Sequence, residues 1–169
     1  AIVERCAMVS LVESTASHVA WVPCRVDELL HELRAQQPAA HRVACQVADG
    51  EGAATVQSDA LLLRTVLGNL LDNALKYSPP DSTVRIGVAL GAQGARKGVC
   101  IEIENTAGAA GVPDPARIFE KYYRAPGAQQ QSGSGLGLYI VKALVERLGG
   151  SIDCQQRAGV IIFKLWLPQ

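Results

Sequence analysis

The stretch LGNLLDNALKYS, Leu67 to Ser78, decides how the chain folds, because it joins a core-forming stripe to a chemically unusual one. Asn69 and Asn73 lie four residues apart and Lys76 follows three later, so in a helix all three share one face. Leu63, Leu67, Leu70, Leu71, Ala74 and Leu75 fill the opposite side, the pattern of a helix half-sunk in a core. A surface helix with no further task would carry Glu, Lys or Arg at its exposed positions. Two carboxamides and an ammonium in one row, with Tyr77 beside them, mark a candidate site.

Working outward, Ser58 or Asp59 supplies an N-cap, and Ser78-Pro79-Pro80-Asp81 stops the helix. A second helix is expected over Val26 to Gln37, with apolar spacing at Val26, Leu29, Leu30 and Leu33, acids in its first turn and Pro38 after its end. Arg42 to Ala48 alternates as a half-buried strand, Asp49 to Gly52 is a turn, and Ala54 to Gln57 a short strand. Thr83 to Leu90 and Val99 to Glu104 are two further strands, joined by a hairpin loop over Gly91 to Gly98. Periodicity disappears from Asn105 to Ser134, apart from a short helix expected near Asp114 to Tyr123, and the Gln129-Gln130-Gln131 run is expected to be mobile. Leu136 to Leu148 is helical, entered through Gly133-Ser134-Gly135 and closed by Gly149-Gly150, and Ile152 to Gln155 with Val160 to Leu167 form a last hairpin. Residues 1–24 are expected to be a linker or the remnant of an upstream helix, broken at Pro23. Strands in adjacent pairs with helices between them imply an α+β two-layer sandwich, its mixed, largely antiparallel sheet covered on one face by helices.

A chain of 169 residues suits one domain, 25–169, with a substantial core. Its formal net charge of +0 lacks the basic excess of a nucleic-acid binder, so no nucleic-acid partner is expected. No apolar run reaches the roughly 18 residues of a membrane span. The five cysteines form no CxxC pair and are odd in number, so neither zinc nor a disulfide framework is expected, and small buried thiols in a reducing cytosol fit better.

Gly133-Ser134-Gly135-Leu136-Gly137-Leu138 opens a helix with glycines, which let backbone N–H groups approach an anion at the positive helix end. Together with the Leu67 to Pro80 stretch it resembles the ATP-binding domain of sensor histidine kinases, the Bergerat fold shared with gyrase, the Hsp90 chaperones and MutL-type repair proteins. LGNLLDNALKYSPP is similar to the family's N box, IFEKYYR at 118–124 to its F box, and GSGLGLYIVKALVERLGGSI at 133–152 to the glycine box of the ATP lid with its following helix. FKLWLP at 163–168 resembles the last strand.

The resemblance implies that Asn73 supplies the carboxamide oxygen for the Mg²⁺ that accompanies ATP, a hard ligand for a hard cation. Asn69 stands where ATPase relatives carry a water-activating Glu; an amide cannot be a general base, which fits phosphoryl transfer rather than hydrolysis. Lys76 would neutralise phosphate charge and, with Asn69, form the catalytic pair. Tyr77 would pack near the adenine or ribose, and Gly133, Ser134, Gly135, Leu136, Gly137 and Leu138 would cradle the phosphates. Phe119 would anchor a lid over 106–132, and Arg124 would reach the γ-phosphate. The implied partners are an upstream dimerisation domain bearing the phospho-acceptor histidine, in a homodimer, and a response regulator. The implied place is cytoplasmic, with the full-length protein anchored in the inner membrane through other segments.

Two departures qualify the match. Where the family places an Asp that accepts from the adenine amino group, this chain has Asn105, and the Asn105 to Gly111 pattern is two residues longer. A hydrogen bond to a charged group is worth roughly 1.5–3 kcal/mol against about 1 for a neutral one. ATP affinity about tenfold weaker is therefore expected, and the alternative is a pseudokinase or a module for a regulatory nucleotide such as a cyclic dinucleotide. His31-Glu32-Leu33-Arg34 resembles the start of the acceptor box, but a strand follows within about ten residues and Gln36 stands where the box has proline. His31 therefore belongs to an ordinary first helix.

Overall fold

The computed structural model describes residues 18–48, 54–128 and 133–169. Strand β1 (Val22–Arg25) runs into helix α1 (Val26–Ala35), and a short 3₁₀ turn at Ala40–Arg42 leads to β2 (Val43–Val47). Strand β3 (Thr55–Ser58), helix α2 (Ala60–Tyr77) and the hairpin β4 (Val84–Gln93) and β5 (Arg96–Thr106) follow. After an irregular stretch come α3 (Gly137–Arg147) and the hairpin β6 (Ser151–Arg157) and β7 (Val160–Pro168). Five strands form one sheet in the order β2-β4-β5-β7-β6, parallel only between β2 and β4, while β1 and β3 make a separate antiparallel pair.

Helix α2 forms where the spacing predicts. The Asp59 carboxylate accepts from the Leu61 and Leu62 amides at 3.0 and 3.1 Å, satisfying two donors of the first turn. Its buried residues, Leu62, Leu63, Val66, Leu67, Leu70, Leu71 and Ala74, form one continuous stripe. The stripe meets an apolar row that strand alternation places on one side of the sheet: Val84, Ile86 and Val88 of β4, and Val99, Ile101 and Ile103 of β5. Helix α3 packs beside α2 through Ile140, Val141, Leu144 and Val145. It ends in a Schellman turn, Gly149 at φ +71° and the Gly150 amide donating to Val145. On the other side of the sheet Lys164 pairs with Glu102 at 3.0 Å.

The sandwich is the expected one, with three local differences. The β4–β5 hairpin turns tightly at Gly94 and Ala95, Gly94 taking φ +59°, so Gly91 to Gln93 and Arg96 to Gly98 are paired strand rather than loop. The helix expected near Asp114 to Tyr123 is a chain of turns, in which the Ile118 amide bonds Asp114 but the Glu120 and Tyr123 amides reach back only three residues. Val22 to Cys24 lie in β1, where Pro23 sits opposite Gln57 and Cys24 is buried; residues 18–21 of the expected linker precede it without regular structure, and residues 1–17 fall outside the described residues, as do the Asp49 to Gly52 turn and the glutamine run. No helix among the described residues is long and apolar enough to cross a membrane.

Replacing Asp59 with Ala removes the cap and should lower unfolding free energy by about 1 kcal/mol, read as a shift in urea midpoint at constant slope. Burial, helped by the Asp153 carboxylate, pushes the Cys154 thiol up to about 11. The neutral thiol therefore persists at every lower pH, and Cys154 should resist alkylation at pH 8 in the native protein but react once urea unfolds it.

Candidate functional site

Between α2, the end of β5, the irregular stretch after it and the start of α3 lies a cleft of about 970 Å³ including its open mouth. Helix α2 contributes Asn69, Asp72, Asn73, Lys76 and Tyr77, the polar residues left over once the apolar stripe is buried. The Asn69 Nδ2 donates to the Thr65 carbonyl at 2.8 Å, so one of its two N–H groups is committed to the helix while its oxygen and the other N–H remain. The Lys76 ammonium stands 5.0 Å from the Tyr77 ring centre.

Asn105 continues the inward-facing row Val99, Ile101, Ile103 by the period-2 rule, and is its single polar member. It is 3% exposed, and its Nδ2 donates to the Thr106 carbonyl at 3.0 Å. That bond holds the carboxamide through one of its two N–H groups and leaves Oδ1 and the second N–H for a ligand. On β7 the neighbouring Ile161, across from Asn105, and Phe163, across from Ile103, give this end an apolar wall.

The opposite wall is the entry to α3. Leu136, its N-cap residue, provides no side-chain cap, so the amides of the first turn lack the carboxylate that Asp59 supplies to α2. A Cβ on Gly137 would lie 3.2 Å from Asn69 Oδ1 and 3.8 Å from Asn73 Nδ2, and one on Gly133 would lie 3.0 Å from Lys76 Nζ. The glycines thus bring backbone directly against the carboxamide and ammonium row. At Gly135, φ is +70° and a Cβ would meet the Tyr122 carbonyl carbon at 2.7 Å; the Tyr122 amide donates to the Gly135 carbonyl at 3.0 Å.

Of the expected site residues, Asn69, Asn73, Lys76, Tyr77, Asn105, Arg124, Gly133, Ser134, Gly135, Gly137 and Leu138 line the cleft. Leu136 and Phe119 do not. Leu136 is buried, with its amide directed to Ser134 Oγ at 3.4 Å, and Phe119 packs edge-on to Phe163 with ring centres 6.3 Å apart. Arg124 lines the cleft while donating to the Ala128 carbonyl, so part of its guanidinium already serves the loop. Asp72, Ile161 and Phe163 were not anticipated; the strand alternation that places Asn105 inward also places the two β7 residues, whereas Ala110, Gly111, Pro113 and Ala128 sit in aperiodic sequence.

Tyr122 and Gly135 form a testable couple, because Tyr122 holds φ +65° against Gly135 and is 66% exposed. Tyr122→Gly should stabilise the protein by about 1 kcal/mol by removing the left-handed penalty, and Gly135→Ala should destabilise it by about 1 kcal/mol or more. Urea titration of both variants checks the opposite signs.

Residues 58–169 match the family described as histidine kinase-, DNA gyrase B- and HSP90-like ATPase. Sensor protein IrlS of Burkholderia pseudomallei is 40% identical over 102 residues, 59% of this chain and 21% of its own length. Sensor protein CreC of Escherichia coli is 33% identical over 134 residues, 77% of this chain and 27% of its own. The chain thus spans about a fifth to a quarter of the length of these relatives. Among solved structures, full-length ShkA in complex with AMPPNP superimposes with a TM-score of 0.75 at 25% identity, over 98% of this chain and 35% of that one. The mycobacterial sensor histidine kinase MprB does so with a TM-score of 0.65 at 25% identity, over 88% and 97%. With its fold, its cleft and its matched residues in agreement, the chain belongs to the histidine kinase-, gyrase B- and HSP90-like ATPase family, on its sensor histidine kinase side.

Proposed function

We propose that this domain binds ATP with Mg²⁺ in the cleft and presents the γ-phosphate to a histidine on a separate dimerisation domain. The observation that carries it is the polarity of the cleft: a buried carboxamide in an apolar wall at one end, and an ammonium with an uncapped helix N-terminus at the other. An amphipathic ligand with a flat, hydrogen-bonding base and an anionic tail fits that division. Asn105 Oδ1 accepts from the base's exocyclic amino group, Ile161 and Phe163 flank the ring, and Lys76 with the first-turn amides of α3 takes up the phosphate charge. Among the described residues no three His, Cys, Asp or Glu side chains cluster to hold a cation. The Asn73 carboxamide oxygen, lining the cleft on the helix face it shares with Lys76, would hold a Mg²⁺ shared with the nucleotide, which would supply charge neutralisation when bound. With an amide at Asn69 in place of a carboxylate, the cleft offers no general base there for water, and its residues position and neutralise rather than hydrolyse.

The sensor-kinase relatives favour transfer over the pseudokinase or cyclic-dinucleotide alternative. The same reading implies an upstream dimerisation domain, a homodimeric full-length protein, a response regulator as phosphate acceptor and a membrane anchor elsewhere in the protein. Titration calorimetry with ATP·Mg²⁺ is the test. Wild type should bind, and Asn73→Ala should bind at least about tenfold more weakly. Equal heats from the two proteins would refute the assignment.

A further inference from the structure

Arg42 does not line the cleft, yet its side chain holds the part of α2 that does. It leaves the 3₁₀ turn before β2 and reaches the far end of α2 with all three guanidinium nitrogens engaged. Nε donates to the Ser82 carbonyl at 3.0 Å and Nη1 to the Leu75 carbonyl at 3.4 Å. Nη2 donates to Ser78 Oγ at 2.6 Å and the Pro79 carbonyl at 2.7 Å, with Ser82 Oγ at 3.4 Å. Ser82 closes the turn on itself, its amide and its hydroxyl both donating to the Pro79 carbonyl, at 3.0 and 2.7 Å.

Leu75 is in the last turn of α2, where carbonyls have no partner further along the helix and the macrodipole favours a cation. Another orphan carbonyl of that turn, that of Tyr77, takes the Gly108 amide at 2.9 Å, and a Cβ on Gly108 would lie 2.6 Å from that oxygen. The loop that follows Asn105 therefore hangs from the helix end that Arg42 fixes. Lys76 and Tyr77 are in the same turn. A single planar cation thus ties the edge of β2 to the Ser78 to Ser82 turn and to the last turn of α2, which carries Lys76 and Tyr77 and to whose end the loop after Asn105 is bonded.

We propose that Arg42 is a positioning residue for nucleotide binding: it sets the Lys76–Tyr77 turn and, through Tyr77 and Gly108, the loop beyond Asn105. This rests on the cleft being the nucleotide site. A lysine cannot replace it, because one ammonium has no fork to span carbonyls on both sides of the turn.

The test measures ATP·Mg²⁺ affinity by calorimetry for wild type, Arg42→Ala and Arg42→Lys, well below each melting temperature and with the folded fraction fixed by circular dichroism. Arg42→Ala should bind about tenfold more weakly and Arg42→Lys about threefold. Millimolar methylguanidinium should restore affinity to Arg42→Ala and leave Asn73→Ala unchanged, which general destabilisation would not produce. Affinity within twofold of wild type in folded Arg42→Ala, or no recovery with methylguanidinium, overturns the assignment. If Arg42→Ala does not fold, Arg42→Lys decides, and wild-type affinity in it overturns the assignment. Absence of binding in wild type would instead refute the nucleotide reading itself.

Discussion

The structure depends on α2 having two incompatible faces. Seven of its side chains, from Leu62 to Ala74, must leave water, and the apolar row of β4 and β5 is where they do so. Burying one large aliphatic side chain contributes roughly 1.5–3 kcal/mol, so the stripe outweighs any single polar contact the helix makes. Once that face is fixed, helical geometry leaves Asn69, Asn73 and Lys76 no place but the edge of the sandwich. Water or a ligand must then solvate them, and the chain meets them with the glycines of the α3 entry rather than with side chains.

The irregular stretch between β5 and α3 is constrained at the points where it touches regular structure. Gly108 presses on the carbonyl of Tyr77, Gly127 on that of Ala110, and Gly135 on the backbone of Tyr122. Side chains anchor it as well: the Tyr123 hydroxyl accepts from the Asp114 amide at 2.8 Å, Phe119 packs against Phe163, and Ile118 is buried in the core.

Much of the site was legible in the sequence because it follows a period. The carboxamide row on α2 obeys the helical repeat and could be placed before any fold was known, whereas Asn105 was singled out by the family resemblance and the structure adds that it extends the strand alternation of β5. The glycines before α3 were legible for a different reason, since a helix opened by glycines without a capping side chain exposes its amides. What escaped has no period. The turns over Asp114 to Tyr123 carry enough helix-like composition to predict a helix, but only one four-residue bond forms there. The length of the β4–β5 hairpin was underestimated because Gly91 and Gly98 look like turn residues. Each is instead a strand position where a neighbour needs the space, Cys100 Sγ over Gly91 and the Trp166 ring over Gly98. Arg42 escaped because its partners are main-chain carbonyls and two turn serines distant in sequence, which leave no periodic pattern.

The central claim is that one cleft reads a base at Asn105 and phosphates at α3. A crystal structure with AMPPNP and Mg²⁺ tests it most directly. The account predicts the adenine amino group within hydrogen-bonding distance of Asn105 Oδ1, the metal on Asn73 Oδ1 and the phosphates against the first turn of α3. A nucleotide bound in the reverse sense, or with its base away from Asn105, would contradict it.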